Sequence, residues 1–324
     1  MNGSATDGIL TKNLLTVIMY INKYYPLPFL ILGLFCNFLC WFMCNGFKSK
    51  NSSLKIFIKV LSVSDSLTLI SGLVTRFIRG LSGFQLNFDV LFDSCHTIKF
   101  LFYCSSDISA WIIVCMVTER ALAIRIPILY TRHCSHKNSL IAVSVITIML
   151  IVINCHFLFS MVPTLDSLGF PTCDSKPEFA HFVKNIFTWI DLFTYSVLPQ
   201  TVIWTDALIM AWVMRKTNSS DNDHNSNEMK IVKMHLILSA LFTFCTTPQV
   251  LLYLIRDSIP NLSKLLSMQI ELILCFTDIL FYVNHSCNFF IFYFTNKAMR
   301  VKIQRYLFVK RIFPNRESTR SVMG

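Results

Sequence analysis

Charge is scarce in this chain. Only 15% of its 324 residues are charged, 54% are hydrophobic, and the mean hydropathy is positive. A soluble chain this apolar would expose large patches, which excludes a pair of soluble domains. Metal-binding patterns are absent too. The twelve cysteines include no Cys-x-x-Cys, and the eight histidines form no His-x-x-His-His or His-Glu-x-x-His cluster. A membrane metalloenzyme would therefore lack ligands. No cleavable signal peptide is visible at the N-terminus, so the first apolar span is expected to act as its own insertion signal. The chain also lacks inverted repeats and paired broken helices, which argues against a transporter.

What is present is a series of long apolar runs. Seven spans are expected, roughly Pro26–Cys44, Leu54–Ile78, Phe92–Ile124, Leu140–Val162, Phe182–Val213, Ile231–Ile255 and Leu265–Phe294. The expected fold is an all-α membrane protein, a seven-transmembrane helix bundle over residues 26–295. A short extracellular segment (residues 1–25) precedes it, and a cytoplasmic amphipathic helix and tail (residues 296–324) follow. Prolines Pro163, Pro199 and Pro248 fall at or inside helices, which membranes tolerate.

The net charge of +11 is explained by its distribution. Most Lys and Arg lie after spans one, three and five and in the tail, so those segments are cytoplasmic and the N-terminus is outside. Nucleic acid is therefore not implied. Asn2-Gly3-Ser4 and Asn261-Leu262-Ser263 are sequons on the outer side. Of the cysteines, only Cys95 and Cys173 fall at the oxidising face, and they are expected to be bridged. The others read as small buried hydrophobes or lie in a reducing loop.

Ionisable residues inside these runs are costly and so point to function. Glu119-Arg120 lies twenty-five residues after Cys95, ~37 Å along one helix, at the opposite membrane face. Asp65 is a carboxylate near mid-membrane. Around them stand Gly33-Leu-Phe-Cys-Asn37 in span one, Leu61-Ser-Val-Ser-Asp65 in span two, and Pro127 seven residues after Arg120. Pro199 lies in span five, Phe242-Thr-Phe-Cys-Thr-Thr-Pro248 in span six, and Asn284 and Asn288 in span seven. In this order and on these spans, the motifs resemble those of the rhodopsin-like G-protein-coupled receptors from Pro26 to about Arg311.

The resemblance implies roles. Asp65, Ser109, Asn284 and Asn288 match a sodium pocket, so a bound Na⁺ is the one cofactor implied. The competing reading is a hydrogen-bonded structural Asp, because His285 stands where a small hydroxyl residue is usual. Arg120, held by Glu119 and by Glu228 on span six, matches an inactive-state lock. Its release would let span six swing out and admit a G-protein helix. The alternative is that Glu228 is a solvated loop end. Phe242, Pro199 and Pro248 match a hinge between pocket and cytoplasm, with Phe242 packing on Pro199 and Ala110. Met299, Ile303, Tyr306 and Leu307 would form the apolar face of a helix on an anionic inner leaflet, against the alternative of an unstructured basic tail.

The chain also departs from the family pattern. Ala121, Thr246 and Ala207 replace the usual Tyr, Trp and Tyr. Span four lacks its Trp, and span seven carries Phe289 and Phe292 in place of Pro and Tyr. An Asn followed by apolar aromatics resembles the invertebrate FMRFamide-receptor-like neuropeptide receptors. Phe102 stands where amine receptors carry an Asp, which argues against a biogenic amine, and Tyr282 stands where opsins carry a retinal-binding Lys, which excludes retinal. A ligand pocket is expected among Lys99, Phe102, Asp107, Asp191, Glu271, Asp278 and Tyr282. Asp278 and Glu271 would be counter-charges for a basic peptide, unless they instead neutralise Arg76 and Lys99. The expected protein is a plasma-membrane peptide receptor coupled to a heterotrimeric G protein. The alternatives are a chemosensory receptor for a non-peptide small molecule and, from another class, a seven-helix transporter or ion channel.

Overall fold

The computed structural model describes residues 2–44, 52–83, 93–165, 169–217, 223–259, 263–295 and 300–301. Seven helical runs in it are long and apolar enough to cross a membrane. They are built from α2 (Pro26–Cys44), α3 (Ser52–Leu81), α4 (Cys95–Arg125) and α6 (His136–Asn154), a composite fifth run, α10 (Asp223–Ser258) and α11 (Lys264–Ser286). A short α5 (Pro127–His133) follows α4, with Pro127 opening its first turn, where a missing N–H costs nothing.

The central helices are α3 and α4. Leu61, Leu69, Leu73, Ile112, Ile113, Met116 and Val117 from these two are almost fully buried, and they meet Ile203, Leu238, Phe242 and Phe292 in one continuous core. Helices α6 and α9 (Leu198–Thr217) instead turn residues such as Ile148, Val152, Leu208 and Trp212 outward, as expected of helices that face lipid.

Three features depart from the sequence expectation. The segment before Pro26 is a helix, α1 (Asn2–Tyr24), which runs almost directly into α2. Its inward positions, Thr11, Leu14, Leu15, Ile18, Ile21, Asn22 and Tyr25, recur every three or four residues. It rests on α3 and α11. Gly80 is what admits it so closely, since a Cβ there would lie 2.5 Å from the Asn22 carbonyl.

The second departure is in span four. The long helix ends at Asn154, and after the single turn α7 (Phe157–Ser160) the chain enters strand β1 (Met161–Leu165). This strand pairs antiparallel with β2 (Pro171–Ser175), placing Pro163 opposite Cys173. Pro163 is thus an edge-strand residue of a hairpin, the setting where proline is tolerated in a sheet. The third is in span seven, where the helix pauses at Cys287 before α12 (Asn288–Thr295).

The fifth run is irregular. Two π-helical turns, Phe182–Phe187 and Leu192–Val197, flank α8 (Thr188–Asp191) and lead into α9. Pro199 at the start of α9 removes one ladder donor, and such widened turns are frequent at functional sites. Helix α10 runs unbroken through Pro248. Ser135 and Ser263 cap α6 and α11 by accepting the backbone N–H groups of Asn138 and Leu266. Of the expected amphipathic C-terminal helix, only Arg300 and Val301 lie among the described residues. Arg300 donates to the carbonyls of Tyr293 and Phe294.

Candidate functional site

Cys95, at the first turn of α4, is bonded to Cys173 on β2, with the Cα atoms 5.7 Å apart. The bond pins the hairpin over one end of the bundle. Beneath it Tyr103 stacks on Phe157 and meets Phe187 edge to face, while His156 packs against Phe157, Phe182 and Phe187, its ring 4.1 Å from that of Phe187. At the rim Lys184 Nζ donates to Asp174 Oδ2 at 3.0 Å and ties the fifth run to β2. Partial burial raises the Asp174 pKa, but the Ser175 N–H and Lys184 outweigh it and hold the carboxyl below its ordinary value.

Under this roof lies a cavity of about 1140 Å³, bounded by α1, α3, α4, the hairpin, the fifth run, α10 and α11. Drug-sized sites usually span ~300–1,000 Å³, so this cavity is large. Lys99, Phe102, Asp191, Glu271, Asp278 and Tyr282 all line it. Asp107 does not. It faces α6, where Asn154 Nδ2 donates to its Oδ2 at 2.7 Å, so it is a helix–helix contact and not a pocket residue.

Two acids of the cavity wall, Asp278 and Glu271, are paired. Arg76 Nη2 lies 2.6 Å from Asp278 Oδ2, and Gln249 Nε2 donates to Asp278 Oδ1 at 2.7 Å. Arg256 Nη1 lies 3.4 Å from Glu271 Oε1. The lining also holds Arg79, Lys99 and Lys184 against Asp174 and Asp191. Both signs are therefore represented, and no bare acidic cluster faces the cavity. The floor is aromatic. Phe102, Phe281, Tyr282 and Tyr195 meet there, with the Phe281 and Tyr282 rings 5.1 Å apart and edge to face. Gly72 makes room for this floor, because a Cβ there would collide with the Tyr282 hydroxyl and with Phe102.

Below the floor the polar network is sealed. Asp65 is 0% exposed and accepts three hydrogen bonds. Ser109 Oγ donates to Oδ1 at 2.6 Å, His285 Nδ1 lies 2.7 Å from the same oxygen, and Asn288 Nδ2 donates to Oδ2 at 2.7 Å. Asn284 is equally buried, but among the described residues its amide finds no hydrogen-bond partner. It makes no hydrogen bond to Asp65. Asn37 Nδ2 donates to the His285 carbonyl at 3.0 Å and fixes that turn of α11 against α2.

The fit of this pocket to sodium can be judged from its donors. A hard cation takes oxygen lone pairs. Here three of the roughly four acceptor positions of the carboxylate face protein donors. Two of those donors are nitrogens whose hydrogens would point at the ion. The residues present do not fit a sodium ion at Asp65.

At the other membrane face Glu119 and Arg120 are each 6% exposed. Glu119 Oε1 accepts from Ser53 Oγ at 2.7 Å, binding α4 to the start of α3. Glu228 lies in α10, but its side chain is outside the described residues, as are those of the sequons Asn2 and Asn261. Between this end and the cavity, Phe242 is buried in the core that contains Ala110, with the Tyr195 ring 6.2 Å away. Thr246, where the family's Trp is missing, donates to the Phe242 carbonyl. Gln200, one residue past buried Pro199, reaches Thr246 Oγ1 at 3.4 Å and Thr247 Oγ1 at 3.0 Å. Thr118 Oγ1 donates to Asp206 Oδ2 at 2.6 Å and links α4 to α9.

This architecture has counterparts among known proteins. The family model "7 transmembrane receptor (rhodopsin family)" matches residues 37–292. The chain belongs to this family. Its members are receptors and not enzymes. "G-protein coupled receptor 183" of Salmo salar is 24% identical to this receptor over 294 residues, covering 88% of this chain and 78% of that protein. A receptor of this family takes a ligand and signals through a heterotrimeric G protein.

Several residues of the site were not anticipated. His285 was noted as unusual but not placed on Asp65. Its signal is the stripe Asp278, Phe281, Tyr282, His285, whose three-, four- and seven-residue spacings put all four on the inward face of α11. Gln249 and the α1 residues Leu15, Ile18 and Asn22, which line the cavity, gave no comparable signal, nor did Gln200, which bonds Thr246 and Thr247.

Proposed function

We propose that this receptor is a multi-pass plasma-membrane protein, N-terminus outside and C-terminus cytoplasmic, that responds to a short neuropeptide of the kind recognised by FMRFamide-type receptors. One observation carries the reading: the 1140 Å³ cavity is larger than a usual small-molecule site and is walled by side chains of both charges. A peptide presents both charges and apolar side chains at that scale. A basic group on the peptide would take Asp278 from Arg76 and leave neither buried charge bare, because Arg76 keeps an exposed edge, its side chain being 29% accessible. An amidated end with an adjacent Arg suits this exchange through charge-assisted hydrogen bonds. The aromatic floor would then transmit ligand contact to Tyr195 and Phe242, and so to the cytoplasmic end at Arg120. The sealed state of Asp65 favours this reading over a transporter or channel, which needs a polar path past the mid-membrane.

The test is calcium and cyclic AMP output in cells expressing the receptor and exposed to an amidated-peptide library, beside an Arg120→Ala control. The reading expects a response to one peptide, lost in the control at equal surface expression. A response confined to non-peptide small molecules would overturn the peptide assignment.

A further inference from the structure

We propose that His285 stands in for the sodium ion in this receptor, so that Asp65 is satisfied from within the chain and no sodium binds there. The inference rests on the geometry at Asp65 and is independent of what the ligand is.

Three observations carry it. First, the His285 ring nitrogen Nδ1 lies 2.7 Å from Asp65 Oδ1, and both side chains are at most 1% exposed. With Asp65 ionised, two acceptors at that distance would repel, so Nδ1 carries the hydrogen. Second, the imidazole packs edge to face with the Phe281 ring, with centroids 4.6 Å apart, on a turn of α11 whose backbone is held by Asn37 of α2. Swinging away to admit an ion would break the ring contact. Third, Ser109 Oγ donates to the same carboxylate oxygen and so occupies an acceptor position that an ion would use.

The consequence concerns regulation. Where a free ion holds a mid-membrane carboxylate, its occupancy follows the external sodium concentration. Here the holding group is covalently part of α11, so the equilibrium between receptor states is insulated from sodium. Movement of α11 relative to α3 itself makes or breaks the contact, since the imidazole and Asp65 sit on those two helices.

The experiment is thermal unfolding of the purified full chain in detergent, in sodium chloride and in choline chloride at equal ionic strength. The expected result is coincident midpoints for the wild type. His285→Ser, which opens space and restores a small hydroxyl, should unfold about 2–4 °C higher in sodium than in choline, and Asp65→Asn added to it should remove that difference. A sodium-specific rise in the wild type, abolished by Asp65→Asn, would overturn the proposal. A folded His285→Ser variant indifferent to sodium would overturn the claim that His285 is what excludes the ion. Should that variant fail to fold, nitrogen-15 NMR of labelled histidines decides. The signal assigned by its loss in His285→Gln should show a protonated Nδ1 that shifts in Asp65→Asn, and an unprotonated Nδ1 would contradict the account.

Discussion

Helices α3 and α11 are cross-linked twice, with the charges exchanged. Near the outside α3 supplies the base and α11 the acid, Arg76 to Asp278. Near mid-membrane α3 supplies the acid and α11 the basic ring, Asp65 to His285. The two contacts are ~16 Å apart along α3 and ~10 Å along α11. Their surroundings differ more than their chemistry. Asp278 borders a large cavity and its partner reaches solvent, whereas Asp65 lies below an aromatic floor with every partner buried. A contact open on one side can be exchanged for a ligand group. A sealed contact can only be made or broken by moving helices. The outer pair is therefore suited to sensing and the inner one to reporting helix position.

The largest effect should come from breaking the sealed contact. Asp65→Ala would leave Ser109, His285 and Asn288 pointing at an empty space, and loss of one member of a buried pair costs about 3–5 kcal/mol. Thermal unfolding and surface expression should both fall steeply. Opening the roof should follow. Cys95→Ser removes a cross-link that closes a loop of 78 residues, and such links contribute about 2–4 kcal/mol. Unfolding midpoints with and without reductant should separate in the wild type and coincide in the variant.

The outer pair should behave more mildly. In a double-mutant cycle of Arg76→Ala and Asp278→Asn, the stability coupling should be about 1–3 kcal/mol, and the double variant should be better tolerated than Arg76→Ala alone. A coupling as large as the loss from Asp65→Ala would erase the distinction drawn between the two contacts.

The smallest effect belongs to the rim. The folded pKa of Asp174 is depressed, so its bond to Lys184 contributes fully at neutral pH and is lost as the pH falls through that depressed value, below the ordinary Asp range. Both side chains are about half exposed, which limits the contribution to under ~1 kcal/mol. Comparing the acid limb of unfolding in wild type and Asp174→Asn checks the sign. A difference that grows toward neutral pH agrees with the account, and one that grows toward acid contradicts it.

The seven spans could be read from sequence because apolar run length has one dominant cause, bilayer thickness. The Cys95–Cys173 bond was legible because only those two cysteines fall at the oxidising face. Local pattern was less informative where tertiary contact decides. The α1 helix carries a weak inward stripe at Leu14, Leu15 and Ile18, and it holds its place because Gly80 lets α3 approach. Val162 and Pro163 read as the end of a helix, yet they pair with β2 because the disulfide anchors that strand. Asp107 and Asp278 look alike as intramembrane acids. Only the packing assigns one to Asn154 on α6 and the other to Arg76 in the cavity. Ser109, Asn288 and the unusual His285 were all expected around Asp65, but that the imidazole itself bonds the carboxylate depends on how α11 packs against α3, which no local pattern gives.

The central claim is that a ligand received in the outer cavity activates a G protein through Arg120. The most direct measurement is nucleotide exchange on purified heterotrimeric G protein, using membranes that carry the receptor and the peptide found by library screening. The account predicts that the peptide accelerates exchange with the wild type, less so with Asp278→Asn, and not at all with Arg120→Ala. Peptide-dependent ion or solute flux without any acceleration of exchange would contradict it.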